Sequence, residues 1–235
     1  MKNKIKLFLH RRGWFARKAL GLGIGTDIFI DLEHKLKIDI KTLIDVGAHQ
    51  GETIESFKLY YPLSKIIAFE PVAKNFKILK EKENTWENVK LENYALSSFI
   101  GNKLISLQVD SQTHSLREIG DNETKTESVK VTTLDSYLEK NSLTHIDLLK
   151  IDVEGFEKEV LKGAKNVLEK RKIKLIIVEA SLDINDEIHT DLIMLRKILN
   201  DHNFDLVGIY DQVMFQNPTR LGYFNALFKL RDTIV

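Results

Sequence analysis

The sequence predicts a doubly wound α/β domain with an antiparallel finish. Strand-like and helix-like stretches alternate from residue 42 onward. The strand-like ones include a buried run ending in glycine, "KTLIDVG", and a strongly β-branched run, "IKLIIVEA". The last two, "FDLVGIY" and "YFNALFKL", are joined by a short connection. Strands alternating with helices mean a mostly parallel sheet covered on both faces, and a short connection between two strands favours an antiparallel pair.

The elements follow in order. "KTLIDVG" (41–47) is the first strand, and "ETIESFKLYY" then puts Ile54, Phe57 and Tyr61 on one helical face. "KIIAFEP" (65–71) is a second strand stopped by Pro71, after which Val72, Phe76 and Leu79 mark a helix. "NVKLENYAL" (88–96) is a third strand. "NKLISLQV" (102–109) and "SVKVTTL" (128–134) are strands flanking a long polar loop, a hairpin-like β insertion placed at 100–134. "HIDLLKIDV" is the fourth main strand, followed by one helical stripe of Val160, Leu161, Ala164, Val167 and Leu168. "IKLIIVEA" (173–180) and a stripe of Ile188, Leu192, Leu195 and Leu199 precede the closing pair.

With 235 residues, 43% apolar and 29% charged, the chain has the composition of an ordinary soluble domain. The absence of cysteine excludes disulfides, zinc–thiolate sites and thiol nucleophiles. No apolar run approaches the ~18 residues of a membrane span. "ALGLGIG" is short and glycine-rich for a signal peptide, so a cytoplasmic protein is expected. Net charge is +1, yet residues 1–25 hold seven lysines and arginines and no acid, leaving −6 on the remainder. Residues 1–40 read as a basic N-terminal arm with a leading helix, and 41–235 as the main α/β domain. The arm, with Phe8, Trp14 and Phe15 interleaved, is suited to weak contact with an anionic membrane surface; a solvated, frayed terminus is the simpler expectation. A body at −6 argues against nucleic acid as partner.

In such a sheet, ligands collect outside the carboxyl ends of the strands, where strand order reverses. The first strand ends in "DVGAHQGET". Gly47 and Gly51 permit a sharp turn and leave room for a ligand, and a helix begins near Glu52. Glu70, at the end of the second strand, is placed to accept ribose hydroxyls. Nicotinamide enzymes want G-x-G-x-x-G around a pyrophosphate, whereas here the spacing is G-x-x-x-G and Glu52 would repel one. A ligand without phosphate, such as S-adenosyl-L-methionine, suits it.

"TLIDVGAHQGET", "IIAFEP" and above all "IDLLKIDVEGFEKEVLKGA" resemble the FkbM family of S-adenosylmethionine-dependent methyltransferases. "VKVTTLDSYL" and "NALF" also fit, so the likeness covers roughly residues 40–230. The first two motifs are shared across methyltransferases, while "LLKIDVEGFE" is specific to this family. The resemblance implies a Rossmann-like, seven-stranded sheet whose last strand is antiparallel, and O-methylation of a hydroxyl on a sugar, glycan or small natural product. By position, Asp45, Gly47, Ala48, His49, Gly51 and Thr53 would surround the methionine part of the cofactor. Glu70 and Pro71 would flank the ribose, and Ala95 would border the adenine. His49 departs from the family's usual asparagine, and "SSFIG" after Ala95 from its usual acid or glycine.

The fourth strand carries an unusual load of Asp147, Lys150 and Asp152, with Glu154 in the turn beyond. Counted with a period of two, Ile146, Leu148, Lys150 and Asp152 share one face, and Asp152 reaches the carboxyl edge where the transferred methyl should lie. Asp152 is therefore the expected proton acceptor, with Lys150 or Glu154 beside it; a purely structural Lys150–acid pair is the bland alternative. Glu157 suits the N-terminus of the next helix. Asp152, Glu154 and Glu179 also form a candidate set of hard oxygen ligands for Mg²⁺ or Ca²⁺, although a divalent metal is not expected. His114 and Ser115, in the polar loop, are expected with Glu179 at the acceptor, and His145 at the surface. No H-x-x-H spacing supports zinc. The competing readings are a nicotinamide-dependent oxidoreductase and a non-catalytic cofactor-binding relative.

Overall fold

A computed structural model describes residues 23–107, 125–183, 185–215 and 220–232, and within them the alternation condenses into one seven-stranded sheet and one three-stranded sheet. The large sheet comprises β1 (Thr42–Val46), β2 (Lys65–Phe69), β3 (Val89–Glu92), β7 (Ile146–Ile151), β8 (Ile173–Ser181), β9 (Phe204–Tyr210) and β10 (Tyr223–Leu230), in the order β3-β2-β1-β7-β8-β10-β9. Every pairing from β3 to β8 is parallel, and β10 is antiparallel to both β8 and β9. The strand order reverses between β1 and β7. The interior strands are buried almost throughout, as expected where helices cover both faces.

The helices are α1 (Glu52–Tyr60), α2 (Ala73–Lys82), α3 (Leu134–Lys140), α4 (Glu157–Lys162), α5 (Lys165–Glu169) and α6 (Leu192–Asp201). Among the described residues, no helix is long and apolar enough to cross a membrane. The chain divides into two units, residues 1–39 and 40–235. In the first, Asp27 caps a helical turn at Ile28–Ile30 by accepting the Phe29 and Ile30 N–H groups, both at 3.0 Å. The basic arm, residues 1–22, lies outside the described residues.

Four elements differ from the sequence reading. The third strand splits. Asn93 turns its amide onto the Glu70 and Pro71 carbonyls (2.8 and 3.1 Å), and the chain leaves the large sheet. It resumes as β4 (Ala95–Leu96), parallel to β6 (Lys125–Thr132), which pairs antiparallel with β5 (Gly101–Leu107) as the insertion reading expects. Helix α3 was not anticipated. Its cap is Thr133, which accepts the Ser136 N–H, and Leu134, Tyr137 and Leu138 make its buried stripe. The single stripe from Val160 to Leu168 is two helices, α4 and α5, whose second N-terminus is capped from α3: the Asp135 carboxylate accepts the Asn166 and Val167 N–H groups, both at 2.9 Å. Finally, Ile188 is not on the α6 stripe. The helix starts after the Asp191 cap, and Ile188 sits in the preceding loop, 41% exposed.

The glycine at the α4–α5 break is sterically required. A Cβ on Gly163 would stand 2.0 Å from the Ser97 carbonyl oxygen, which is backbone and cannot rotate away. Gly163→Ala is therefore expected to cost about 1–3 kcal/mol in urea unfolding, although alanine is the better helix former. A cost under about 0.5 kcal/mol would show that α4 slides freely past β4.

Asp147, one of the loaded residues of β7, has no part in the carboxyl edge. Its carboxylate accepts the Lys41 and Thr42 N–H groups at 3.0 and 2.9 Å and meets Lys174 Nζ at 2.7 Å and His145 Nε2 at 2.9 Å. It ties the amino ends of β1, β7 and β8. Burial would raise its pKa, but the Lys174 and His145 contacts outweigh it and hold the group below the usual carboxylate range.

Candidate active site

The reversal of strand order brings the carboxyl ends of β1 and β7 side by side, the general position for a ligand crevice in an open α/β sheet. The two ends touch. The Asp152 N–H donates to the Val46 carbonyl at 3.0 Å, and Gly47, at φ +86°, has no room for a side chain because a Cβ would lie 1.8 Å from the Asp152 carbonyl oxygen. Gly51, at φ +98°, is filled from behind by Trp86, whose ring would stand 2.7 Å from a Cβ. The side-chain space at both glycines is thus taken by protein. They shape the turn that carries the ligand-facing groups.

A cavity of ≈ 340 Å³ opens at this edge. Its wall includes Gly47, Ala48, His49, Thr53, Glu70, Pro71, Ala95, Lys150, Asp152, Glu154 and Glu179, so most of the residues expected at the site converge on one space. Asp45 and Gly51 are not among its lining residues, and His114 and Ser115 lie outside the described residues. The sequence reading missed Asn75, Tyr94, Ile105 and Tyr223, which also line it and come from α2, the β3–β4 turn, β5 and β10.

At one side stands Glu70, 4% exposed. Its Oε2 accepts the His49 N–H at 2.9 Å and its Oε1 the Val72 N–H at 2.8 Å, so two turns orient it. Burial pushes its pKa up to about 7, against the lowering effect of those N–H groups, with Asp45 nearby adding to the rise. Asn75 close by acts to lower that pKa, and the Asn75 Oδ1 is buried with no hydrogen-bond partner among the described residues. His49 has φ +48°, a left-handed backbone that asparagine adopts more readily, which gives the family's usual residue its physical reason. Its Nδ1 lies 3.3 Å from Glu52 Oε1.

At the other side, Lys150 Nζ lies 2.8 Å from Asp152 Oδ2 and 3.8 Å from Asp45 Oδ1. Burial alone would lower the pKa of Lys150, but Asp152 and Asp45, with Glu179 behind them, outweigh it and hold the ammonium more firmly protonated than an ordinary lysine. A firmly protonated ammonium suits holding a carboxylate in place better than accepting a proton. Asp45 is fully buried and pushed up to about 6, by burial first, with Lys150 opposing. Asp152 keeps its side chain 33% exposed.

Beyond Asp152 the wall is acidic. Glu154, at φ +53°, is presented by the turn it forms with Gly155. Glu157, expected only as a helix-terminal acid, is buried. Its Oε1 accepts the Val153 and Gly155 N–H groups, both at 3.2 Å, and its other oxygen accepts the Thr190 hydroxyl. Burial and the Asp152, Glu154 and Glu157 carboxylates push Glu179 up to about 9. The carboxylate set considered for a metal changes on folding: His189 takes the place of Asp152, whose Oδ2 is occupied by Lys150.

The family model identifies the family, and the solved structures share the fold. Residues 45–206 match the Methyltransferase FkbM domain. Methyltransferase FkbM from Methylobacillus flagellatus KT is 16% identical at a TM-score of 0.52, over 88% of this chain and 48% of that one, so this chain spans about half its length. N-methyltransferase NodS from Bradyrhizobium japonicum WM9, solved with S-adenosyl-L-homocysteine, is 9% identical at a TM-score of 0.50, over 87% of this chain and 84% of that one. No curated protein matches the chain.

Proposed function

The chain belongs to the FkbM methyltransferase family, and from that premise we propose that its cavity transfers a methyl group from S-adenosyl-L-methionine to a hydroxyl of a sugar, glycan or small natural product. The observation that carries this reading is that Glu70 and Asp152 wall one and the same cavity. The residues present fit the cofactor. A buried carboxylate set by two backbone N–H groups suits a ribose diol, and the unpartnered Asn75 Oδ1 awaits a donor. Tyr94, Leu96 and Ile105 offer apolar surface for a base, and the acidic wall favours a sulfonium over a phosphate.

When bound, the cofactor supplies a methyl group already activated by its positive sulfur. With the cofactor bound, the Asp152 carboxylate would take the proton that the acceptor hydroxyl gives up. Lys150 holds that carboxylate in place without competing for the proton. The −6 charge outside the basic arm favours a small or glycan acceptor over nucleic acid. The test is calorimetry with S-adenosylhomocysteine, followed by transfer from labelled cofactor to an acceptor library. Absence of nucleoside binding sinks the reading, and transfer to amines alone would redirect it from O- to N-methylation.

Glu70 makes this binding pH-dependent. Ribose hydroxyls donate to its ionised form, so binding favours loss of a proton from a group near 7 in the free protein. Affinity for S-adenosylhomocysteine should therefore rise by up to about tenfold from pH 6 to 8, and Glu70→Gln should bind more weakly and without that slope. A flat wild-type profile would show that Glu70 does not accept from the ligand.

A further inference from the structure

We propose that Glu154, Glu179 and His189 form a binding site for a divalent transition-metal ion, of the manganese or zinc kind, at the acceptor end of the cavity. One ligand atom from each lies within 4.8 Å of the others, a spacing that small side-chain shifts would close around a single ion. The three arrive from separate elements: Glu154 from the turn after β7, Glu179 from the end of β8, and His189 from the loop before α6.

The histidine is what separates this group from an ordinary acidic patch. Its side chain is 7% exposed, and its ring stacks on Tyr223 with centroids 4.1 Å apart and planes at 17°. Its Nδ1 lies 2.8 Å from Asp186 Oδ2. Asp186 is itself fixed, its Oδ1 accepting the Ile188 and His189 N–H groups at 2.8 and 2.9 Å. A carboxylate on Nδ1 sets the tautomer: the proton sits there, and the Nε2 lone pair is free to bind a metal. Nε2 has no hydrogen-bond partner among the described residues, and its near neighbour is Glu179 Oε2 at 3.6 Å. A buried imidazole nitrogen is thus aimed at two carboxylates, with the outer carboxylate typical of metal-bound histidine already in place.

Charge points the same way. Glu179 makes no hydrogen bond among the described residues, and the carboxylates of Asp152, Glu154 and Glu157 act on it. Such a buried group is neutral only by holding protons, and a divalent cation would balance its carboxylates in their ionised form. Lys150 is already divided between Asp152 and Asp45. One imidazole with two carboxylates suits a transition ion better than Ca²⁺, which favours an all-oxygen shell.

The test uses the full chain without cofactor or acceptor, so its failure leaves the methyl-transfer reading standing, and failure of nucleoside binding leaves this one standing. Titration of Mn²⁺, followed by loss of the free-ion EPR signal, should show one bound equivalent, displaced by Zn²⁺ but not by Ca²⁺. Asp186→Asn should weaken binding by about 10–100-fold. His189→Ala and the near-isosteric Glu179→Gln should abolish it, with circular dichroism reporting that each variant is folded, while Glu187→Gln, in the same loop but outside the group, should bind as wild type. An unchanged free-ion signal with wild-type protein overturns the proposal. So does full Mn²⁺ binding by either folded variant, or displacement by Ca²⁺ as readily as by Zn²⁺. In those cases His189 and Glu179 are packing contacts of the loop.

Discussion

Asp152→Asn should lower kcat by about 10²–10⁴ while leaving S-adenosylhomocysteine affinity within about threefold of wild type. Asparagine preserves the shape, and its oxygen can still accept from Lys150, whose Nζ lies 2.8 Å from the aspartate. The main-chain link from Asp152 to Val46 is untouched, so the meeting of β1 and β7 survives. What disappears is the capacity to take a proton. Lys150 cannot replace it, because neighbouring carboxylates hold the ammonium protonated. Glu154 is one turn further along the wall, so Glu154→Gln should fall short of the Asp152 effect. Wild-type turnover by Asp152→Asn, measured with an acceptor from the library, would return the Lys150–Asp152 pair to a structural role.

The sequence carried the frame well because the frame is written locally. Strands such as "KIIAFEP" and "IKLIIVEA" and the glycine turn are runs of neighbouring residues, and the cavity lies where the reversal of strand order puts it. What escaped is non-local or misleading in one dimension. The stripe from Val160 to Leu168 is periodic enough for one helix, and nothing in it tells that position 163 packs against the Ser97 carbonyl, over sixty residues away. Gly47 and Gly51 were legible as turn glycines, but what fills their missing side-chain space, Asp152 and Trp86, was not. His189 carries no H-x-x-H spacing, because its neighbours Glu154 and Glu179 come from other strands. Tyr223 reaches the cavity only because β10 inserts antiparallel beside β8. The load on β7 itself divides by position: Asp147 works at the amino edge, and Lys150 and Asp152 at the carboxyl edge.

Lys150→Met should destabilise the fold by about 3–5 kcal/mol near pH 8, the cost of leaving a buried charge without its partner. The stranded group is Asp45, in the middle of the sheet and 0% exposed. Among the described residues neither of its carboxylate oxygens has a hydrogen-bond partner, and Lys150, at 3.8 Å, is the cation that balances it. Burial already raises Asp45 to about 6, and removing the opposing ammonium raises it further. A carboxylate whose folded pKa exceeds its unfolded value near 3.8 loses stability as pH rises from the unfolded value through the folded one, because the folded state binds the extra proton. The deficit of Lys150→Met should therefore be small at pH 5 and grow toward pH 8 in urea unfolding. Adding Asp45→Asn removes the buried charge, so the double variant should recover most of the loss and show no such growth with pH. Stability of Lys150→Met equal to wild type at pH 8, or a double variant no better than the single one, would show that the pair does not hold the sheet. If the double variant folds and binds S-adenosylhomocysteine yet turns over slowly, the two duties of Lys150 separate. Balancing Asp45 is then structural, and the remaining deficit belongs to Asp152, left without the ammonium that positions it.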